Sequence, residues 1–142
     1  MAGKVIYTAE AHVDGGRLGG HGRTSDGVLE VDIALPGADE PGTNPEQLFA
    51  VGYAACFGGA LSAIARREKV DLGEVGINSE VDLKAADDRS FDLGVRLNIS
   101  LPGITDPEQA KQIATAAHKV CPYSRATRGN IEVEMKANGE AI

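Results

Sequence analysis

The sequence predicts an α+β domain, with antiparallel sheets wrapped around a long central helix, and three stretches predict it. Residues 48–65 carry no charged side chain and are apolar nearly all round, the pattern of a helix buried on every side. Residues 75–84 and 91–101 alternate apolar and polar with the period of half-buried strands. Further on, Ala110, Ile113, Ala114, Ala117 and Cys121 fall on one helical stripe. The predicted order is β-β-β-α-β-β-α-β. With no linker, repeat or low-complexity tract, residues 1–142 read as a single domain.

Taken in order, residues 5–11 have strand propensity, and Asp14-Gly15-Gly16 supplies a hairpin turn that Arg17 leaves directly. A short polar strand through Arg23 precedes a second turn over residues 24–27. Leu29, Val31, Ile33 and Leu35 then alternate as a half-buried strand, and residues 36–42 form a loop. Thr43-Asn44-Pro45-Glu46-Gln47 opens the central helix, which runs to Glu68. Asn44 caps it, Pro45 suits the first helical position, Glu46 complements the positive end and Gln47 completes a capping box. The helix is too broken by glycine for a membrane span. Val75, Ile77, Val81 and Leu83 share one strand face, Asp87-Asp88 turns the chain, and the run from Phe91 to Leu101 returns antiparallel. Asp106-Pro107-Glu108-Gln109 repeats the helix-opening solution, Pro122 stops the second helix, residues 123–130 turn, and Ile131, Val133 and Met135 alternate as a last strand.

Composition narrows the function. Aromatics are 4%, there is no Trp and Gly reaches 18, so a core shared with a second subunit is attractive. A net charge of −7 and a pI near 4.9 argue against nucleic acid and anionic membrane as partners. No signal peptide, lipidation motif or spanning segment is visible, which makes cytoplasmic the expected location. There, two cysteines are more often free, redox-active or metal-bound than permanently bridged.

The residues alone leave Cys56 and Cys121 open between two buried, inert thiols and a reactive pair. Both lie on core-facing helix surfaces and could meet inside. Arg17 has no acidic neighbour in sequence, and a cation is what a thiolate needs. Cys121 sits at the break before Pro122, where movement could close a bridge. A metal site is disfavoured: His118-x-x-Cys121 is the only close Cys/His spacing, with His12 and His21 scattered. A Cys-His hydrolase lacks an orienting partner, and the glycines at 15–16 and 19–20 do not form a phosphate loop. By themselves Glu46 reads as a helix-start acid and Arg17 as a surface cation.

Three segments carry a resemblance. Thr43-Asn44-Pro45-Glu46-Gln47-Leu48-Phe49-Ala50, Gly52-Tyr53-Ala54-Ala55-Cys56-Phe57 and Val120-Cys121-Pro122-Tyr123-Ser124-Arg125-Ala126-Thr127-Arg128-Gly129-Asn130 closely resemble the organic hydroperoxide resistance proteins, one branch of the osmotically inducible protein C superfamily. Tyr7-Thr8-Ala9 and Gly15-Gly16-Arg17 match as well, so the likeness spans essentially the whole chain. The main departure is a shorter loop between Leu35 and Gly42.

The resemblance implies an intertwined homodimer that reduces organic hydroperoxides with a two-cysteine cycle. Carried onto this sequence, Cys56 is the peroxidatic thiol, Cys121 the resolving thiol, and Arg17 with Glu46 the charged pair at the site. It implies no bound cofactor or metal, and a lipoylated protein presenting dihydrolipoyl groups as reductant. The alternative is a redox sensor or small-ligand binder using the same cysteines without turnover; the chain shows no DNA-binding basic helix. Glu46 and Cys56 are ten positions apart, about 15 Å along a continuous helix and not on one face. Either a partner's helix crosses antiparallel near Val51 and Gly52, bringing Glu46 of one chain beside Cys56 of the other, or the helix starts later and Glu46 folds back from a loop.

Overall fold

The computed structural model describes residues 3–142. Three strands come first, β1 (Ala11–Asp14), β2 (His21–Thr24) and β3 (Glu30–Asp32), then the long helix α1 (Pro45–Glu68). The hairpin β4 (Gly76–Ala85) and β5 (Phe91–Ser100) follows, then α2 (Pro107–Val120), α3 (Pro122–Thr127), β6 (Glu132–Ala137) and β7 (Glu140–Ala141). Packing divides the chain into two compact units, one ending at Leu48 and one running Phe49–Ile142. The predicted α+β class holds.

In the first unit β1, β2 and β3 form an antiparallel sheet in that order, with Asp14, His21 and Asp32 in register across it. His21 reaches Asp32 through Nδ1 at 2.8 Å and Glu30 through Nε2 at 2.9 Å, and these carboxylates raise the imidazole above its ordinary value. The first strand is displaced from its predicted place: it occupies Ala11–Asp14 rather than residues 5–11, and Asp14 ends it instead of opening the turn. Val5, Ile6 and Tyr7 stay exposed, because strand propensity yields a strand only where another edge offers ladder partners. The run over residues 29–35 is likewise regular only at Glu30–Asp32, before a parallel bridge from Ile33 to Thr43. That bridge leads the chain into α1. Asn44 caps the helix as expected, its Oδ1 accepting from the Gln47 amide at 2.9 Å. The box is not reciprocal, since the Gln47 side chain accepts from the Thr43 hydroxyl instead.

The second unit holds the main core. Tyr53, Phe57, Leu61 and Ile64 of α1 meet Ala110, Ile113, Ala114 and Ala117 of α2, and Val95, Leu97 and Ile99 of β5. Burying each large apolar side chain contributes roughly 1.5–3 kcal/mol. Asp106 caps α2 by accepting from the Glu108 amide.

Three features depart from the sequence reading. The four-stranded sheet runs β4-β5-β6-β7, and β6 lies parallel to β5, so it is mixed rather than antiparallel. The α2 crossover between them supplies the length that a parallel return requires. Pro122 ends α2 but also opens α3, a proline at the first helical position being favourable, so part of the expected turn is helical. Asn138-Gly139 turns the chain into the unpredicted β7 with positive φ at both residues.

The central helix is also less buried than its composition predicts. By length and hydropathy it could cross a membrane, yet its buried residues are built into the core. One side packs inward while Val51 (72% exposed), Ala55, Gly59 and Ala63 face outward.

Candidate functional site

In the first unit, the turn between β1 and β2 places Arg17. Gly15, Gly16 and Gly19 adopt positive φ, and a side chain on Gly20 would collide with the Gly16 carbonyl oxygen. From that turn Arg17 reaches the first turn of α1. Its Nη1 donates to Glu46 Oε2 at 2.9 Å and its Nη2 to Oε1 at 2.8 Å, a bidentate pair. The paired guanidinium holds the Glu46 carboxyl below its ordinary value, and the carboxylate raises Arg17 in turn. The helix is continuous from Pro45, so Glu46 does not fold back from a loop. Next to Arg17, Leu18 joins Ile33, Leu35, Ala38 and Pro41 in lining a cavity of about 580 Å³, with Asp39 and Glu40 at its polar side.

The two cysteines meet in the second unit. Cys56 lies one turn after Tyr53 on the inward side of α1, and Cys121 one turn after Ala117 at the end of the buried α2 stripe. Their Sγ atoms are 3.6 Å apart. Cys121 is fully buried and Cys56 partly so. Burial pushes the Cys56 thiol up, the backbone amide of Tyr123 pulls it down, and the neighbouring Cys121 adds to the rise. A disulfide needs about 2.05 Å between sulfurs, so a local shift at the α2–α3 break would suffice.

Sequence reasoning missed what surrounds the thiols. The Tyr53 hydroxyl, buried completely, bonds Ser124 Oγ at 2.8 Å and Thr127 Oγ1 at 3.2 Å on α3. Tyr123 packs on the rings of Phe49 and Tyr53, with centroids 5.7 Å apart in both pairs. A Cβ on Gly52 would meet the Tyr123 hydroxyl at 2.9 Å. The missing Gly52 side chain therefore makes room for Tyr123 of the same chain. The available signal was a tyrosine inside an otherwise apolar helix, whose hydroxyl needs a partner.

The predicted residues thus form two pairs, Arg17 with Glu46 and Cys56 with Cys121. Among the described residues, no three His, Cys, Asp or Glu side chains converge as a metal site requires.

Residues 37–136 match the family model of the OsmC-like proteins. The chain belongs to the OsmC-like family. Within it, relatives belong to the organic hydroperoxide resistance branch. The organic hydroperoxide resistance protein OhrB of Bacillus subtilis is 44% identical over 136 residues, covering 93% of this chain and 98% of that protein. That of Xanthomonas axonopodis pv. citri is 47% identical over 137 residues, covering 93% and 94%. The crystal structure of Bacillus subtilis OhrB matches with a TM-score of 0.87 at 43% identity, covering 93% and 98%. An organic hydroperoxide resistance protein from Vibrio cholerae, with captopril bound in one of its active sites, matches at 0.91 and 42% identity, covering 98% and 96%. This kinship supports a peroxide-detoxifying role for the OsmC-like chain.

Proposed function

We propose that the protein is a two-cysteine thiol peroxidase that reduces organic hydroperoxides to alcohols in the cytoplasm. The observation that carries this reading is the 3.6 Å approach of Cys56 and Cys121 at a helix break. The Cys56 thiolate attacks the terminal peroxide oxygen, the O–O bond breaks, and the departing alkoxide takes a proton to leave as alcohol. Cys56 becomes a sulfenic acid. The Cys121 sulfur then attacks Cys56, the S–O bond breaks, and the hydroxide leaves as water with the thiol proton. An external dithiol exchanges with the resulting disulfide and carries away the two oxidising equivalents. Dihydrolipoyl groups on a lipoylated protein fit this role, and captopril in the relative's site is itself a small thiol. In an assay with dihydrolipoamide, tert-butyl hydroperoxide should be consumed faster than hydrogen peroxide. Equal rates would count against the organic substrate class. Binding without turnover would instead support the sensor reading.

A thiol raised by burial needs a cation, and we assign that role to Arg17, held by Glu46. With Arg17→Gln the midpoint of Cys56 alkylation against pH should move upward. Below the midpoint, each unit of that shift slows the reaction about tenfold at fixed pH. An unmoved midpoint would remove Arg17 from this role.

The exposed apolar side of α1 and the exposed Val5, Ile6 and Tyr7 favour an obligate homodimer in which the Arg17–Glu46 pair serves Cys56 of the partner. Sedimentation should give twice the 14.8 kDa chain mass. Val51→Glu, which places a charge on that side, should yield monomers with little activity. A stable, fully active parental monomer would contradict both statements.

A further inference from the structure

We propose that Tyr53, Ser124 and Thr127 are positioning residues whose hydroxyl network fixes α3 against α1 and so sets how readily Cys121 reaches the oxidised Cys56. The inference rests on the two-cysteine reading above and concerns only its second step.

The three hydroxyls form a closed arrangement. Thr127 Oγ1 donates to the Ser124 carbonyl at 3.3 Å, which leaves its oxygen to accept from Tyr53. Tyr53 can then accept from Ser124 Oγ, and every proton has an acceptor. All three side chains are shut away from water: Tyr53 and Ser124 are 0% exposed and Thr127 is 6%. Such a network is rigid when complete and costly when broken.

Its position makes it more than filler. At six residues, α3 is too short to persist without tertiary anchorage. Cys121 is fused to its start, with extended backbone at φ −64° and ψ 124°. The Cys121 amide donates to Ala117 of α2, while its carbonyl accepts from Arg125 of α3, both at 2.9 Å. The sulfur is therefore held by two helices, and only α3 is tied by hydroxyls to α1, one turn from Cys56. Tyr123, between Cys121 and Ser124, adds its ring to the same contact.

Loosening α3 lowers the effective concentration of Cys121 at Cys56. Condensation then loses ground to attack by a second peroxide on the sulfenic acid, which gives a sulfinic acid and a second alcohol. One net hydrogen bond corresponds to about a three- to tenfold change.

The test titrates each protein with tert-butyl hydroperoxide in the absence of reductant. Rapid mixing times the first oxidation and the condensation separately, and peptide mass spectrometry counts disulfide against Cys56 sulfinic acid. Tyr53→Phe, Ser124→Ala and Thr127→Val should each lower the ratio of condensation rate to first-step rate about three- to tenfold, with sulfinic acid rising at correspondingly lower doses. Thr127→Ser, which keeps the hydroxyl, should restore the parental ratio. An unchanged ratio in the folded variants, even with lowered melting temperature, would overturn the proposal. So would equal slowing of both steps. If the parent itself forms no Cys56–Cys121 disulfide, the two-cysteine reading fails instead, and the two failures are distinguishable.

Discussion

Cys56→Ser is expected to abolish peroxide turnover. A serine hydroxyl is not ionised near neutral pH, and the remaining thiol, Cys121, is fully buried. Loss of the attacking group removes the covalent route itself, so the fall should be at least on the order of a thousandfold. The fold should survive. Cys56 is only partly buried, and serine differs from it by a single, smaller atom. Circular dichroism should match the parent while consumption of tert-butyl hydroperoxide with dihydrolipoamide drops to background. Retained turnover would exclude Cys56 as the peroxidatic thiol.

The second large effect is a change in kind. Cys121→Ser should consume one equivalent of peroxide at Cys56, fail to form the internal bridge, and drift to a sulfinic acid under excess peroxide. A hydroxyl at this fully buried site could cost roughly 1–3 kcal/mol if unpaired, so Cys121→Ala is the companion variant. Both should show the same single turnover. If single-turnover consumption survives in Cys56→Ser and fails in Cys121→Ser, the two roles are reversed.

Much of this architecture was legible because local physics determined it. The caps at Asn44 and Asp106, the alternation through β4 and β5, and the stripe from Ala110 to Cys121 depend on near neighbours. What sequence could not supply was the partner of each element. Residues 5–11 have the chemistry of a strand, yet strand formation waits on an edge that this segment of the single chain lacks until Ala11. The alternation at 131–135 says strand and is silent on direction; the α2 crossover makes it parallel to β5. Asn138-Gly139 was a readable turn signal, and β7 follows from it.

The site divides in the same way. Cys56 and Cys121 could be placed on inward faces from periodicity, and their meeting at 3.6 Å is a tertiary fact. Arg17 and Glu46, 29 positions apart, meet because a glycine-rich turn aims one at the first helical turn of the other. The Tyr53 network spans 71 and 74 positions, beyond any local pattern. At Gly52 the space left by the missing side chain is taken up by Tyr123, 71 positions later in the chain, a contact that no local pattern announces.

The most direct test of the central claim is peptide mapping without reduction after one equivalent of tert-butyl hydroperoxide. The expected product is a disulfide joining the Cys56 and Cys121 peptides within one chain, absent before treatment and lost on adding dihydrolipoamide. Oxidised protein in which both thiols remain free, or in which bridges form only between chains, would contradict it.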